Sequence, residues 1–182
     1  MDEARGATAN LFLVGPMGSG KTAVGKQLAR ARRCPFVDSD VEIVRRTGVD
    51  IPYIFDKEGE AGFRARERDA IEALTRRRGI VLATGGGAIL LAENRSVLRE
   101  RGTVVYLETS VADQLLRVRR GENRPLLSGA VDLEQRLTEL MTQRDPLYRQ
   151  IAHIVVRTDG RRVAQVADRI LEQLPSQPAP YT

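Results

Sequence analysis

The sequence predicts an α/β protein organised around a parallel β-sheet, and three observations lead there. Short runs rich in Val, Ile and Leu alternate along the chain with longer amphipathic segments, the pattern of repeated strand–helix–strand units. These runs are brief and apolar throughout, as befits strands covered by helices on both faces rather than surface hairpins. A glycine-rich segment, Gly15-Pro16-Met17-Gly18-Ser19-Gly20-Lys21-Thr22, follows the first run directly and opens a helical stretch.

In chain order, strands are expected at 10–14, 35–37, 79–83, 103–107 and 154–157. Helical patterns fall at 21–32, 41–46, 62–78, 93–101, 111–120, 133–144 and 161–174. Between the fifth and sixth helices lies a polar loop at 121–130, GENRPLLSGA, which contains Gly, Pro, Ser and one arginine, Arg124. A loop of this length on a compact enzyme is either a lid or a plain connector. The tail at 175–182 holds three prolines and is expected to be mobile and dispensable for folding.

With 182 residues the chain is the size of one domain, 1–182, with its core at about 10–174. Hydrophobic residues make up 42% and charged residues 29%, a globular balance rather than a disordered one. No apolar run approaches the ~18 residues of a membrane span, so no membrane partner is expected. The N-terminal segment has acids and no apolar stretch, and Cys34 is the lone cysteine. A secretory signal and an internal disulfide are therefore excluded, and a cytoplasmic protein is expected.

The net charge of +5 invites a nucleic-acid reading. Against it, arginines and acids interleave, as in Arg64-Ala65-Arg66-Glu67-Arg68-Asp69, the pattern of a solvated, ion-paired helix face. The absence of Trp, with four Tyr and four Phe, leaves little for base stacking. No nucleic-acid partner is expected, and a monomer is. The cations are overwhelmingly Arg, with only Lys21, Lys26 and Lys57 as lysines, which suits small anionic ligands gripped at two points.

The glycine-rich segment is a full G-x-x-x-x-G-K-[ST] match in the required strand–loop–helix setting. Its glycines let consecutive N–H groups converge on phosphate oxygens at a helix N-terminus. Lys21 is placed to reach the β- and γ-phosphates, and the Thr22 hydroxyl to ligate Mg²⁺. After the second strand come Asp38-Ser39-Asp40, at the carboxyl end where open α/β sheets bind ligands. Continued strand alternation would turn both acids to one side, one to support the metal shell and the other to accept a substrate hydroxyl. Helix capping would explain one acid, not obviously both. Thr84-Gly85-Gly86-Gly87 closes the third strand, and three consecutive glycines imply that something approaches the main chain closely.

In the 62–78 helix, Phe63, Ala70, Ile71 and Leu74 form an apolar stripe with Glu67 inside it and Arg64 at its edge. An inward carboxylate is costly unless paired, so Arg64 is the expected partner, held rigid and aimed at an anion. The alternative is an ordinary surface pair. His153 has no Ser, Cys or second His arranged with it, and a structural role is expected; packing is the expected role of Cys34.

Assembled, these residues resemble the shikimate kinases, within the nucleoside-monophosphate-kinase-like branch of P-loop folds. The likeness runs over about 10–174 and rests on GPMGSGKT, Asp38-Ser39-Asp40, FDKEGEAGFRARE from Phe55 to Glu67, the triple glycine, Arg124-Pro125-Leu126-Leu127 and Arg144-Asp145-Pro146-Leu147-Tyr148. The resemblance implies a three-layer fold, five parallel strands in the order 2-3-1-4-5, and a mobile lid over about 119–131. It implies transfer of the γ-phosphate of ATP to the 3-hydroxyl of shikimate, in aromatic amino-acid biosynthesis, with Mg²⁺ as cofactor. On the ATP side it implies Gly18, Ser19, Gly20, Lys21, Thr22 and Ala23 around the phosphates, Arg117 and Arg161 near the adenine, and Arg124 closing from the lid. Thr22 would hold Mg²⁺ directly and Asp38 indirectly. Asp40 would receive the proton of the attacking hydroxyl, Arg64 and Arg144 would clamp the carboxylate, and Gly86 and Gly87 would meet the same substrate. The chain departs from the family in Thr22-Ala23, where Ser-Thr is usual, and in Pro52, where a helix would start.

Overall fold

The computed structural model describes residues 9–119 and 132–174. The expected tail at 175–182, and the expected lid beyond position 119 with Arg124, lie outside the described residues. Five strands, β1 (Leu11–Val14), β2 (Phe36–Asp38), β3 (Val81–Ala83), β4 (Thr103–Glu108) and β5 (Ile154–Arg157), form one sheet in the order β2-β3-β1-β4-β5. Every neighbouring pair is parallel; Leu11 faces Val81 on one side and Thr103 on the other, so β1 lies at the centre. The helices are α1 (Lys21–Ala31), α2 (Ser39–Thr47), α3 (Ile51–Thr75), α4 (Ala92–Arg101), α5 (Val111–Arg119), α6 (Leu133–Ile151) and α7 (Val163–Gln173), with a short 3₁₀ turn at Ala88–Leu90. None of the helices described is long and apolar enough to cross a membrane.

The two-residue side-chain period of the strands builds two cores. Leu11 and Leu13 of β1, with Val105 and Leu107 of β4, pack beneath Val24 and Leu28 of α1 and Val166 and Ile170 of α7. Phe12, Val14, Val104 and Tyr106 point the other way, against Ile71 and Leu74 of α3, Leu98 of α4, and Tyr148 and Ile151 of α6. Helices on both faces of a parallel sheet explain why β1 and β3 are apolar and buried throughout. Buried Asn10 ties the strand starts together: its amide donates to Arg77 O and Arg101 O while its oxygen accepts from Ile80 N. His153 Nδ1 accepts from Val104 N at 3.0 Å, the structural role expected of it.

The structure moves several expected boundaries. β2 ends on Asp38 and α2 starts at Ser39 rather than at 41, because the Asp38 side chain accepts from Asp40 N at 3.0 Å and caps the helix. Strand alternation therefore does not relate Asp38 to Asp40; a strand-to-helix turn does. α3 starts at Ile51, at the start expected around Pro52, and runs on through the helix expected from 62, with Asp50 accepting from Tyr53 N and Pro52 in the first turn. The helix is broken at Gly59, whose φ of 69° and ψ of −175° lie in a region that only glycine occupies readily. α6 runs to Ile151, past the expected end at 144 and through Pro146. Its stripe of Leu137, Leu140, Arg144, Tyr148 and Ile151 is buried, and that packing outweighs the missing proline N–H. α7 starts at Val163 rather than at 161.

Candidate active site

The carboxyl ends of β1, β2 and β3 open on a cleft of about 620 Å³. One wall is the loop after β1. Gly20, at φ 87°, precedes α1 in the left-handed region, which allows the chain to turn sharply into that helix. The Lys21 ammonium folds back onto the loop, donating to Gly15 O at 2.8 Å, Pro16 O at 2.7 Å and Ser19 Oγ at 3.2 Å. Lys21, Gly18, Gly20, Thr22 and Ala23 line the cleft, whereas Ser19 is buried beneath it. The arrangement is a concave cradle of main-chain donors at a helix N-terminus, with a cation at its lip.

At the next wall, the Thr22 hydroxyl donates to Asp38 Oδ2 at 3.0 Å while Asp38 Oδ1 caps α2. Asp38 thus both caps the helix and engages the Thr22 hydroxyl, and Asp40 faces the cleft from the first turn of α2. Among the described residues, no group of three or more His, Cys, Asp or Glu gathers as a metal cage. The hard oxygens of Thr22 and Asp38 nonetheless fit Mg²⁺, which keeps several waters and shares its remaining ligands with substrate phosphates.

The far wall brings two buried guanidiniums, Arg64 and Arg144, to the cleft. Glu67 is fully buried, and its Oε2 accepts from Arg64 Nη1 at 2.6 Å; Glu60 holds the other side of that guanidinium at 3.1 Å. The surface-pair alternative is thereby excluded for Arg64–Glu67. Burial pushes the Glu67 carboxyl above its ordinary range, against the pull of Arg64. Arg144 of α6 is also buried, and its Nε finds no acceptor among the described residues. Burial and then the neighbouring Arg64 charge hold its guanidinium below the ordinary value. Two crowded, desolvated cations facing one cleft would be relieved by an incoming anion.

The triple glycine has a concrete cause. A Cβ on Gly87 would lie 2.3 Å from Arg64 Nη2, and one on Gly85 would lie 2.6 Å from Glu67 Oε1 and 3.0 Å from Asp40 Oδ1. A Cβ on Gly86 would press on the phosphate loop, 3.4 Å from Met17 N. The glycines therefore let the clamp, the acid and the phosphate loop share one small volume.

Of the other expected residues, Arg117 reaches the cleft and donates to Gly18 O at 2.7 Å. Arg161 lies in the β5–α7 loop, outside the cleft lining; its backbone N–H donates to Thr158 O, and its Nε has no partner among the described residues. Thr158 O also receives the Arg117 guanidinium at 3.5 Å, so the two arginines share a neighbour.

Three parts of the site escaped the sequence reading. Phe55 and Phe63, with centroids 4.7 Å apart across the Gly59 break, make an apolar wall with Ile51 and Pro52. Their spacing of eight positions is a little over two helical turns, and the Gly59 break between them kept the two rings from being read as one face. Glu60 and Tyr148 stand inside the segments 55–67 and 144–148 that carry the family resemblance, but neither has a role assigned from the sequence.

Comparison with known proteins agrees with this geometry. The shikimate kinase family model matches residues 17–175. A shikimate kinase of Halorhodospira halophila (strain DSM 244 / SL1) is 56% identical over 169 residues, covering 93% of this chain and 95% of that protein. The structure of shikimate kinase from Acinetobacter baumannii in complex with shikimate is 52% identical, with a TM-score of 0.88 over 90% of this chain and 91% of that one. A gluconokinase from Sinorhizobium meliloti 1021, at 19% identity and a TM-score of 0.57, shares the fold alone. Matched along nearly its whole length by the family model and by a relative of more than half identical sequence, the chain belongs to the shikimate kinase family.

Proposed function

We propose that the protein transfers the γ-phosphoryl group of ATP to the 3-hydroxyl of shikimate, releasing ADP and shikimate 3-phosphate. The observation that carries this reading is the pairing of two buried guanidiniums, Arg64 and Arg144, with an acid, Asp40, in the same cleft as the phosphate cradle. A hydroxylated carboxylate matches that set: the carboxylate meets the two arginines while a ring hydroxyl reaches Asp40 and faces the cradle.

Phosphoryl transfer depends on alignment and charge neutralisation more than on covalent chemistry. Gly18, Ser19 and Gly20 supply the loop around the triphosphate, and Lys21 exchanges its carbonyl partners for phosphate oxygens, offsetting charge as the γ-phosphoryl moves. Thr22 would hold Mg²⁺ with Asp38 behind it, and an ion held there would supply charge neutralisation for the phosphates. Ala23 follows in the same turn. Asp40 orients the attacking hydroxyl and takes up its proton. Arg64 and Arg144 fix the carboxylate, and Gly86 and Gly87 present main chain to the same ligand. Arg117 and Arg161 serve the adenine side. Arg124, outside the described residues, closes on the phosphates.

A coupled assay for ADP, with shikimate, gluconate and AMP offered in turn, tests this. Turnover is expected with shikimate alone, lost on adding EDTA and restored by excess Mg²⁺. Equal ADP release without shikimate, or faster release with gluconate, would overturn it.

A further inference from the structure

Tyr148 is fully buried and does not line the cleft, yet its hydroxyl donates to the carbonyl of Gly86, which does. In a trans peptide, a carbonyl and the N–H that follows it point in opposite directions. A Gly86 carbonyl drawn back to Tyr148 therefore turns the Gly87 N–H toward the cleft. Among the described residues that N–H makes no hydrogen bond, while several neighbouring groups of the loop are engaged. Gly85 N donates to Ser39 Oγ, Ala88 O accepts from Asn94 Nδ2, and the Thr84 hydroxyl donates to Leu13 O. None of these bonds fixes the Gly86–Gly87 peptide.

The Tyr148 hydroxyl is itself held in place. Its ring stacks on Tyr106, with centroids 4.9 Å apart and planes at 22°. Tyr106 is anchored through its own hydroxyl to Asp145 at 2.8 Å, and Asp145 to Arg149 at 2.8 Å. Burial pushes the Tyr148 phenol far above its ordinary value, so it remains a donor at every working pH. One helical turn before Tyr148 on α6 stands Arg144. The same rigid element thus presents a guanidinium to the ligand and, through the Gly86 carbonyl, aims an amide from the opposite wall.

We propose that Tyr148 is a positioning residue for the carboxylate substrate, fixing the Gly86–Gly87 peptide so that the Gly87 N–H donates to the bound ligand. This inference rests on the shikimate-kinase reading above. Its test compares the unaltered protein with Tyr148→Phe, which removes only the hydroxyl and keeps the ring stack. Tyr106→Phe is the control, since it keeps the ring that stacks on Tyr148 and deletes an equally buried phenol that does not touch the glycine loop. Tyr148→Phe is expected to raise the KM for shikimate about tenfold and to leave the KM for ATP within twofold; Tyr106→Phe is expected to change neither by more than twofold. A Tyr148→Phe enzyme with an unchanged KM for shikimate overturns the inference, as does an equal rise in Tyr106→Phe. A second measurement needs no variant: on the ¹⁵N-labelled wild type, shikimate is expected to shift the Gly87 amide resonance and ADP alone to leave it in place. A Gly87 resonance indifferent to shikimate overturns the inference even if Tyr148→Phe does not fold. Absence of wild-type turnover would strike the functional reading itself, whereas normal wild-type turnover with either negative result strikes only the role of Tyr148.

Discussion

Substituting alanine for Gly87 tests the tightness of the anion clamp with a single methyl group. Gly87 has φ −96° and ψ 0°, which alanine tolerates, so the backbone can stay where it is. The new Cβ would stand 2.3 Å from Arg64 Nη2, and an ordinary contact starts at 3.4 Å, so the guanidinium must retreat by about 1.1 Å. An exposed arginine would swing aside at little cost. Arg64 is buried between Glu67 at 2.6 Å and Glu60 at 3.1 Å, and retreat means loosening a bond to a carboxylate with no water to replace it. A displacement of about 1 Å at a substrate-positioning group can cost on the order of 10²-fold, or about 2.8 kcal/mol of transition-state binding. The folded state should suffer less, because alanine restricts the unfolded chain and returns roughly 0.4–1 kcal/mol. Steady-state kinetics with shikimate and ATP varied separately, beside a thermal melt, give the readout. The expectation is a fall of about 10² in kcat/KM for shikimate, with the KM for ATP and the folded spectrum retained. A folded Gly87→Ala enzyme whose kcat/KM for shikimate stays within threefold of wild type would show that Arg64 yields freely, and the cradle reasoning would be wrong.

Two other predictions follow from the same geometry. Arg144→Met should keep or slightly raise stability in urea titration, by up to about 1–2 kcal/mol, because it removes a buried charge with an orphaned Nε, while shikimate turnover falls by at least about 10²-fold. At the surface, the Arg45 and Arg46 guanidiniums hold the Glu42 carboxyl down at about 2 against an ordinary 4.5. A depressed carboxyl stabilises the fold above pH 4.5 and loses that contribution as the pH falls toward 2. Solvent screening around the exposed arginines limits the effect, so Glu42→Gln should cost no more than about 1 kcal/mol at pH 7, with the gap to wild type narrowing steadily below pH 4.5 in urea midpoints.

The parts of the molecule legible in the sequence were those with a strong local cause. The phosphate loop announces itself because glycine spacing, Lys21 and the preceding strand must occur together. Arg64 and Glu67 could be paired in advance because a carboxylate among Phe63, Ala70 and Ile71 has few ways to be tolerated. Boundaries were less readable wherever tertiary packing outvotes local propensity. Pro146 marks a helix end in isolation, but Tyr148 and Ile151 are buried beyond it and carry α6 onward. Gly59 hid the continuity of α3, since the helical pattern is interrupted where its backbone leaves the helical region. The triple glycine signalled a close approach but not its source. That source turned out to include the protein's own Arg64, Glu67 and Asp40, contributed by chain segments roughly twenty to forty-five positions away.

The central place of β1 has a kinetic consequence. Its first partners in register, Val81 and Thr103, lie 70 and 92 positions along from Leu11, with no hairpin shortcut between them. Loop closure grows only logarithmically with length, yet both closures must occur before any central pairing rewards them, which makes such topologies slow to nucleate. The phosphate loop and the glycine turn hang from the ends of β1 and β3, and the acids from β2, which pairs with β3 in turn. During refolding, then, catalytic competence should arrive in one step with sheet closure, and a ribosome-bound chain that has not yet emerged past β4 has no half-built version of this enzyme to offer.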